Sequence, residues 1–163
     1  MNKALFLDRD GIINYDKNDG SYTYTPHDFI LLDDVIDVLK KAYQNNYLLI
    51  IITNQSGIGK SLYSHQDVNA VHGKLNDELN KNGIKLTEIY YCPHHPSTSN
   101  CFCRKPDSLL IEKAIARFKI NPKISIFVGD KERDCVAANK AGIGTIYHLQ
   151  TNSSLKQIIN ALI

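Results

Sequence analysis

No sign of charge dominates this 163-residue chain: 19 lysines and arginines stand against 17 acids, a formal net charge of +2 at pH 7. A broad field able to hold nucleic acid or an anionic membrane is therefore not expected, and the partners should be small molecules. Long hydrophobic runs are also missing. The longest, Tyr47 to Ile52, is far too short to cross a bilayer. The N-terminal run Ala4-Leu5-Phe6-Leu7 breaks at Asp8 before a signal-peptide core could form, which points to the cytoplasm. Repeats, low-complexity tracts and linker-like composition shifts are absent as well, so one domain over residues 1–163, working as a monomer, is the expectation.

Cysteine is sparse and unevenly placed. Of the four, Cys92, Cys101 and Cys103 crowd into one segment beside His94 and His95, a metal-ligand distribution more than a disulfide framework. Cys135 stands apart and reads as a small buried residue on a helix.

What the chain does have is an alternation of short β-like apolar runs with helical ones. That rhythm predicts an α/β fold, a Rossmann-like parallel sheet with helices on both faces. The predicted strands are Ala4–Leu7, Tyr47–Ile52, Leu86–Tyr91, Ile124–Val128 and Thr145–Tyr147. Asp33 is the expected cap of a first helix and Ser64 of a second, which Gly83 follows. Asp107 should cap a third, Gly142 should close a fourth, and the tail from Leu155 should form a last helix. Two irregular stretches remain, Gly11–Pro26 and Cys92–Pro106. Long loops in compact domains usually carry function.

In an open α/β sheet the ligand crevice lies beyond the carboxyl ends of the strands. Those ends carry Asp8-Arg9-Asp10-Gly11, Thr53-Asn54-Gln55 and Gly129-Asp130-Lys131. A lone Asp-x-Asp is weak, because paired acids often cap helices. Acids gathered at one sheet edge repel one another, however, and a hard divalent cation such as Mg²⁺ relieves that repulsion. The cysteine segment offers three thiolates and an imidazole, the donor set of a closed Zn²⁺ site, with His94 or His95 as the imidazole. Thiolates are wrong partners for Mg²⁺, so two metals with separate tasks are expected, and a small zinc-binding loop with them. One rival motif is Asn54-Gln55-Ser56-Gly57-Ile58-Gly59-Lys60-Ser61 after a strand, which looks like the phosphate loop of a nucleotide-dependent kinase. Asn54 stands where that loop needs its first glycine, and the reading leaves Asp8 without a role.

With Asp8-x-Asp10-Gly11, Thr53, Lys105 and Gly129-Asp130 in order over residues 4 to 148, the chain resembles the haloacid dehalogenase-like phosphatase superfamily. The resemblance implies that Asp8 attacks phosphorus and forms an aspartyl phosphate, while Asp10 is general acid and then general base. It implies Mg²⁺ on Asp8, Asp130 and the Asp10 carbonyl, with Thr53 and Lys105 on the phosphoryl oxygens. It also favours His94 over His95 beside Cys92, Cys101 and Cys103 for zinc. Asp134 is left open between a hydrogen-bonding role near the metal and a solvent-facing helical acid.

The zinc segment resembles two branches, heptose bisphosphate phosphatases and histidinol-phosphate phosphatases. Thr53-Asn54-Gln55-Ser56-Gly57-Ile58 and Val128-Gly129-Asp130-Lys131 look closer to the heptose branch, whereas Gly59-Lys60-Ser61 departs from it. That branch implies loss of the C7 phosphate from D-glycero-D-manno-heptose 1,7-bisphosphate during supply of activated heptose for surface polysaccharide. Asn54, Gln55, Ser56, Lys60, Arg104 and Lys131 are the candidate substrate contacts, the cations among them being suited to a second anionic group. Histidinol phosphate would instead want acids, which Asp16 or Asp19 could supply. The loops after Asp10 and Thr53 are too short for a large cap domain. A non-catalytic zinc-stabilised binding module is the remaining alternative, and the intact acids argue against it.

Overall fold

The computed structural model describes residues 1–163. Five parallel strands, β1 (Lys3–Leu7), β2 (Tyr47–Asn54), β3 (Glu88–Cys92), β4 (Ile126–Gly129) and β5 (Thr145–His148), form one sheet in the order β3-β2-β1-β4-β5. The central strands β1, β2 and β4 are apolar on both sides because both faces are covered. Leu5 and Leu7 of β1, with Leu49 and Ile51 of β2, point to a core under α1 (Val35–Gln44) and α2 (His65–Lys81). Ala4 and Phe6, with Ile50 and Ile52, point to the other core under α3 (Leu109–Phe118) and α4 (Glu132–Lys140). Each fully buried Leu, Ile or Phe contributes roughly 1.5–3 kcal/mol of transfer free energy.

Local ends differ in places from the sequence reading. Asp34, not Asp33, stands at the cap of α1, and its side chain makes no bond to that helix. It accepts instead from Ser154 and from the Leu155 and Lys156 amides, pinning the C-terminal segment. That segment, Leu155–Ala161, is a 3₁₀ helix. Ser108 replaces Asp107 as the α3 cap. Ile124 lies in a 3₁₀ turn before β4, and Leu86 precedes β3 without joining it. Ser64 caps α2 as expected, in a capping box with Asp67. Gly142 follows α4 in the left-handed region at φ 77°. No helix is long and apolar enough to cross a membrane.

β2 lies on one side of β1 and β4 on the other, so the chain's path reverses at β1. The carboxyl ends of β1, β2 and β4 meet at this switch point.

Candidate active site

Asp8 directly follows β1 and is 7% exposed. Its Oδ1 accepts from the Arg9 amide at 2.8 Å and from Lys105 Nζ at 2.8 Å. Burial and the nearby Asp134 carboxylate raise the Asp8 pKa to about 7, against the opposing pull of Lys105. Lys105 is itself buried, and its ammonium touches Asp8 Oδ1, Asp134 Oδ1 at 2.7 Å and the Ile52 carbonyl at 2.7 Å. Burial works against that charge, but Asp8 and Asp134 outweigh it and push the lysine pKa up. A permanent cation thus sits beside the carboxylate that follows β1.

Asp134 is fully buried, which removes the solvent-facing reading. Its Oδ1 meets Lys105 and its Oδ2 accepts from the Lys131 amide at 3.0 Å, closing the first turn of α4. Both oxygens are committed to protein, so Asp134 orients Lys105. Asp130 differs. Its Oδ2 accepts from Thr151 Oγ1 at 2.6 Å and Lys131 Nζ at 3.0 Å, while its buried Oδ1 has no partner. Carboxylate oxygens of Asp8, Asp130 and Asp134 lie within 4.8 Å of one another. An orphaned buried oxygen among acids fits a hard divalent cation, because burying such charge without compensation is unfavourable. Gly11, at φ 85°, lets the chain pass here: a Cβ would sit 2.6 Å from Asp130 Oδ2.

Asp10 is held from several sides. Arg9 Nε and NH2 donate to it at 3.2 and 2.9 Å, Asn14 Nδ2 at 3.0 Å, and Gln55 Nε2 at 3.2 Å. Burial opposes its ionisation, but the Arg9 guanidinium and these hydrogen bonds win and hold the carboxyl below the usual range. The sequence reading gave Arg9 no role. It is the largest fully buried side chain, and it also donates to the Thr23 carbonyl at 2.8 Å and to His72 Nε2 at 3.3 Å. Arginine can only donate, so His72 accepts at Nε2 and is neutral.

Burial, then the Arg9 charge, depresses the His72 pKa from 6.5 to about 3. A histidine that stays neutral when folded and charges when unfolded loses stability as pH falls from about 6.5 towards 3. Chemical denaturation across this window should give a slope approaching ~1.4 kcal/mol per pH unit from this one group. His72→Leu should flatten that slope, and an unaltered slope would refute the assignment.

Thr53 and Gln55 are buried at the end of β2, Gln55 Nε2 donating to Thr53 Oγ1 at 3.0 Å. Asn54 brackets the Lys105 backbone, accepting from its amide at 3.0 Å and donating to its carbonyl at 3.2 Å. It braces the lysine as well as lining the cleft. Outside the acids opens a cavity of about 330 Å³ lined by Asp16, Tyr22, Ser56, Arg104, Lys131 and Arg133 among others. Of the expected cations, Lys131 is tied to Asp130 and Thr151. Lys60 is exposed and lies 5.9 Å over the Tyr22 ring. Arg104 does face the cavity, with a buried NH1 that has no partner. Arg133, which no motif singles out, lines it too. Neither arginine forms an ion pair. Asp19 is bound to Ser21, leaving Asp16 as the first-loop acid that reaches the cavity.

The cysteine segment gathers as a cluster. Cys92 Sγ lies 2.9 Å from Cys103 Sγ and 3.7 Å from Cys101 Sγ, and His94 Nδ1 is 3.2 Å from Cys103 Sγ. All four cysteines are free thiols. His95 turns away, its Nδ1 2.6 Å from Ser97 Oγ, so His94 completes the set. Sulfur ligands about 2.3 Å from a tetrahedral Zn²⁺ lie roughly 3.8 Å apart; the Cys92–Cys101 pair has that spacing, and the Cys92–Cys103 pair is drawn closer.

A parallel sheet of this order, with Asp8 and Asp10 after β1, Thr53 ending β2, a buried lysine between carboxylates and Asp130 after β4, defines a haloacid dehalogenase-like phosphatase. A family profile described as polynucleotide kinase 3 phosphatase matches residues 3–157. The chain is 42% identical over 144 residues to D-glycero-alpha-D-manno-heptose-1,7-bisphosphate 7-phosphatase of Campylobacter jejuni, covering 88% of this chain and 80% of that one. It is 40% identical over 149 residues to the corresponding beta-named enzyme of Haemophilus influenzae, covering 88% and 77%. Among solved structures, D,D-heptose 1,7-bisphosphate phosphatase from B. bronchiseptica, complexed with magnesium and phosphate, superposes with a TM-score of 0.82 at 31% identity, covering 88% and 78%. The chain belongs to the D-glycero-D-manno-heptose-1,7-bisphosphate 7-phosphatase family.

Proposed function

We propose that this protein removes the C7 phosphate of a D-glycero-D-manno-heptose 1,7-bisphosphate through an aspartyl phosphate on Asp8, in the supply of heptose for surface polysaccharide. The observation that carries the reading is the Asp8–Lys105–Asp134 constellation beside the orphaned Asp130 oxygen, in a chain whose relatives at about 40% identity bear that name. Asp8 attacks phosphorus, the ester oxygen leaves, and water later cleaves the acyl phosphate. Asp10 is the group placed to move the protons. Its clamped, anionic resting form suits the second half, when a base must take a proton from water. Lys105 and Thr53 face the phosphoryl oxygens. Mg²⁺, held by Asp8, Asp130 and the Asp10 carbonyl, would supply charge neutralisation. Zn²⁺ on Cys92, His94, Cys101 and Cys103 would be structural. The free thiols suit the reducing cytoplasm.

The charge of the cavity supports a bisphosphate over histidinol phosphate. With Lys131 bound to Asp130 and Asp10 bound to Arg9, the unpaired charges lining it are Arg104 and Arg133 against Asp16, a positive balance. A second phosphate meets the arginines; a cationic amine does not. Losing one charge-assisted hydrogen bond of ~1.5–3 kcal/mol predicts a roughly 10–100-fold fall in kcat/KM. Arg133→Met and Arg104→Met should each show it on heptose 1,7-bisphosphate, with a smaller fall on heptose 7-phosphate. Higher kcat/KM of the unaltered enzyme for histidinol phosphate than for the bisphosphate would overturn the substrate assignment.

A further inference from the structure

Tyr63 is 7% exposed and lies in the segment between β2 and α2, outside every motif read from the sequence. Its hydroxyl donates to Gln55 Oε1 at 2.8 Å. The opposite end of that amide, Nε2, donates to Asp10 Oδ2 at 3.2 Å and Thr53 Oγ1 at 3.0 Å. The two ends of a glutamine amide are nearly the same shape and opposite in polarity. A carboxylate accepts only, so Asp10 requires the NH₂ end, and the Tyr63 O–H is the donor that satisfies the oxygen end left behind. Burial pushes the Tyr63 phenol pKa up, which keeps that proton in place. The ring is fixed as tightly as the hydroxyl. It stacks on Tyr24 at 5.0 Å, meets Tyr22 edge-on at 5.6 Å, and lies so close to Gly57 that a Cβ there would come within 2.0 Å of it.

We propose that Tyr63 is a positioning residue for the phosphatase reaction: through Gln55 it holds Asp10 and the Thr53 hydroxyl in their working orientation. Tyr63 lines neither of the cavities beside Asp8 and Asp10. Its action passes through one amide, which makes the proposal separable from a packing role. The proposal rests on the reaction assigned above.

The test is a double-substitution cycle of Tyr63→Phe and Gln55→Ala, with thermal midpoints recorded for each protein. Phenylalanine keeps the ring stacking and removes only the hydroxyl. Tyr63→Phe should lower kcat on heptose 1,7-bisphosphate about tenfold with KM changed less than about twofold, the scale of one weakened contact. In the Gln55→Ala background, adding Tyr63→Phe should change kcat no further, because the group it acts through is gone. Full kcat in a folded Tyr63→Phe protein, or losses that multiply across the two backgrounds, would overturn the proposal. If the unaltered enzyme cleaves p-nitrophenyl phosphate but not the sugar bisphosphate, the substrate assignment alone fails, and the cycle is read on the aryl ester with the same outcomes expected. An enzyme inactive on both would overturn the reaction and the proposal together.

Discussion

Asp8→Asn should lower turnover by at least about 10³-fold, a barrier increase of roughly 4 kcal/mol or more at ~1.36 kcal/mol per decade, while leaving the fold intact. The amide matches the carboxylate in shape but cannot form the acyl phosphate. The same substitution should not destabilise the resting protein. Asp8 is crowded by burial and by Asp134, which outweigh the pull of Lys105 and raise its pKa to about 7. Removing its charge relieves that crowding, and Lys105 keeps Asp134 and the Ile52 carbonyl as partners. A thermal midpoint equal to or above that of the unaltered protein is therefore expected alongside the lost activity. Phosphate release at near-normal rates, with deamidation excluded by mass spectrometry of the recovered protein, would remove Asp8 from the role of nucleophile.

The acids at the strand ends were legible because the fold's logic is local there: a strand ends, the next residue faces the crevice, and its type can be read directly. Asp8, Thr53 and Asp130 all follow from that rule. Lys105 follows no strand and was picked out only through the family resemblance, with its place beside the cysteine cluster agreeing. What could not be read was pairing across the chain. Arg9 lies between two acids and looks like a solvated charge, yet its partners His72 and Thr23 arrive from distant segments and bury it completely. Lys131 looked like a free cation, yet its ammonium folds back onto the adjacent Asp130 and is held there by Thr151, twenty residues away. Arg133 carried no reading because nothing in α4 itself says that its first turn borders the cavity.

Helix caps failed for a related reason. Asp33 and Asp34, or Asp107 and Ser108, are equally good cap residues by type, and tertiary bonds decide between them. The Asp34 carboxylate serves the C-terminal 3₁₀ segment, so its side chain is not available to α1. The candidate imidazoles His94 and His95 were likewise indistinguishable by spacing alone. The bond from His95 Nδ1 to Ser97 separates them in space.

Removing the metal from the cysteine cluster should impair catalysis without touching any group that handles phosphate. Purified without added metal, the protein should carry one zinc per chain. Burial pushes the Cys92 thiol up, and Cys103 likewise, so in the metal-free state these sulfurs hold protons. Zinc binds thiolates, and reloading a stripped protein should therefore release protons into a weakly buffered solution. Structural zinc contributes roughly 10–16 kcal/mol of apparent binding free energy in small peptides, comparable with the ~5–15 kcal/mol that holds a whole domain together. Its loss should at least disorder the segment from Cys92 to Cys103. Arg104 and Lys105 follow directly, and the Lys105 ammonium must sit 2.8 Å from Asp8. The loop after β2 is tied to the same segment, through the Gln55 amide on the Cys92 carbonyl at 2.8 Å and the Gly59 amide on the Pro93 carbonyl at 2.8 Å. Disorder there loosens both Lys105 and the Thr53–Gln55 turn, so kcat should fall at least about tenfold and recover when zinc is restored. Elemental analysis that finds no zinc in fully active protein would sink this account and return the four ligands to an ordinary thiol cluster.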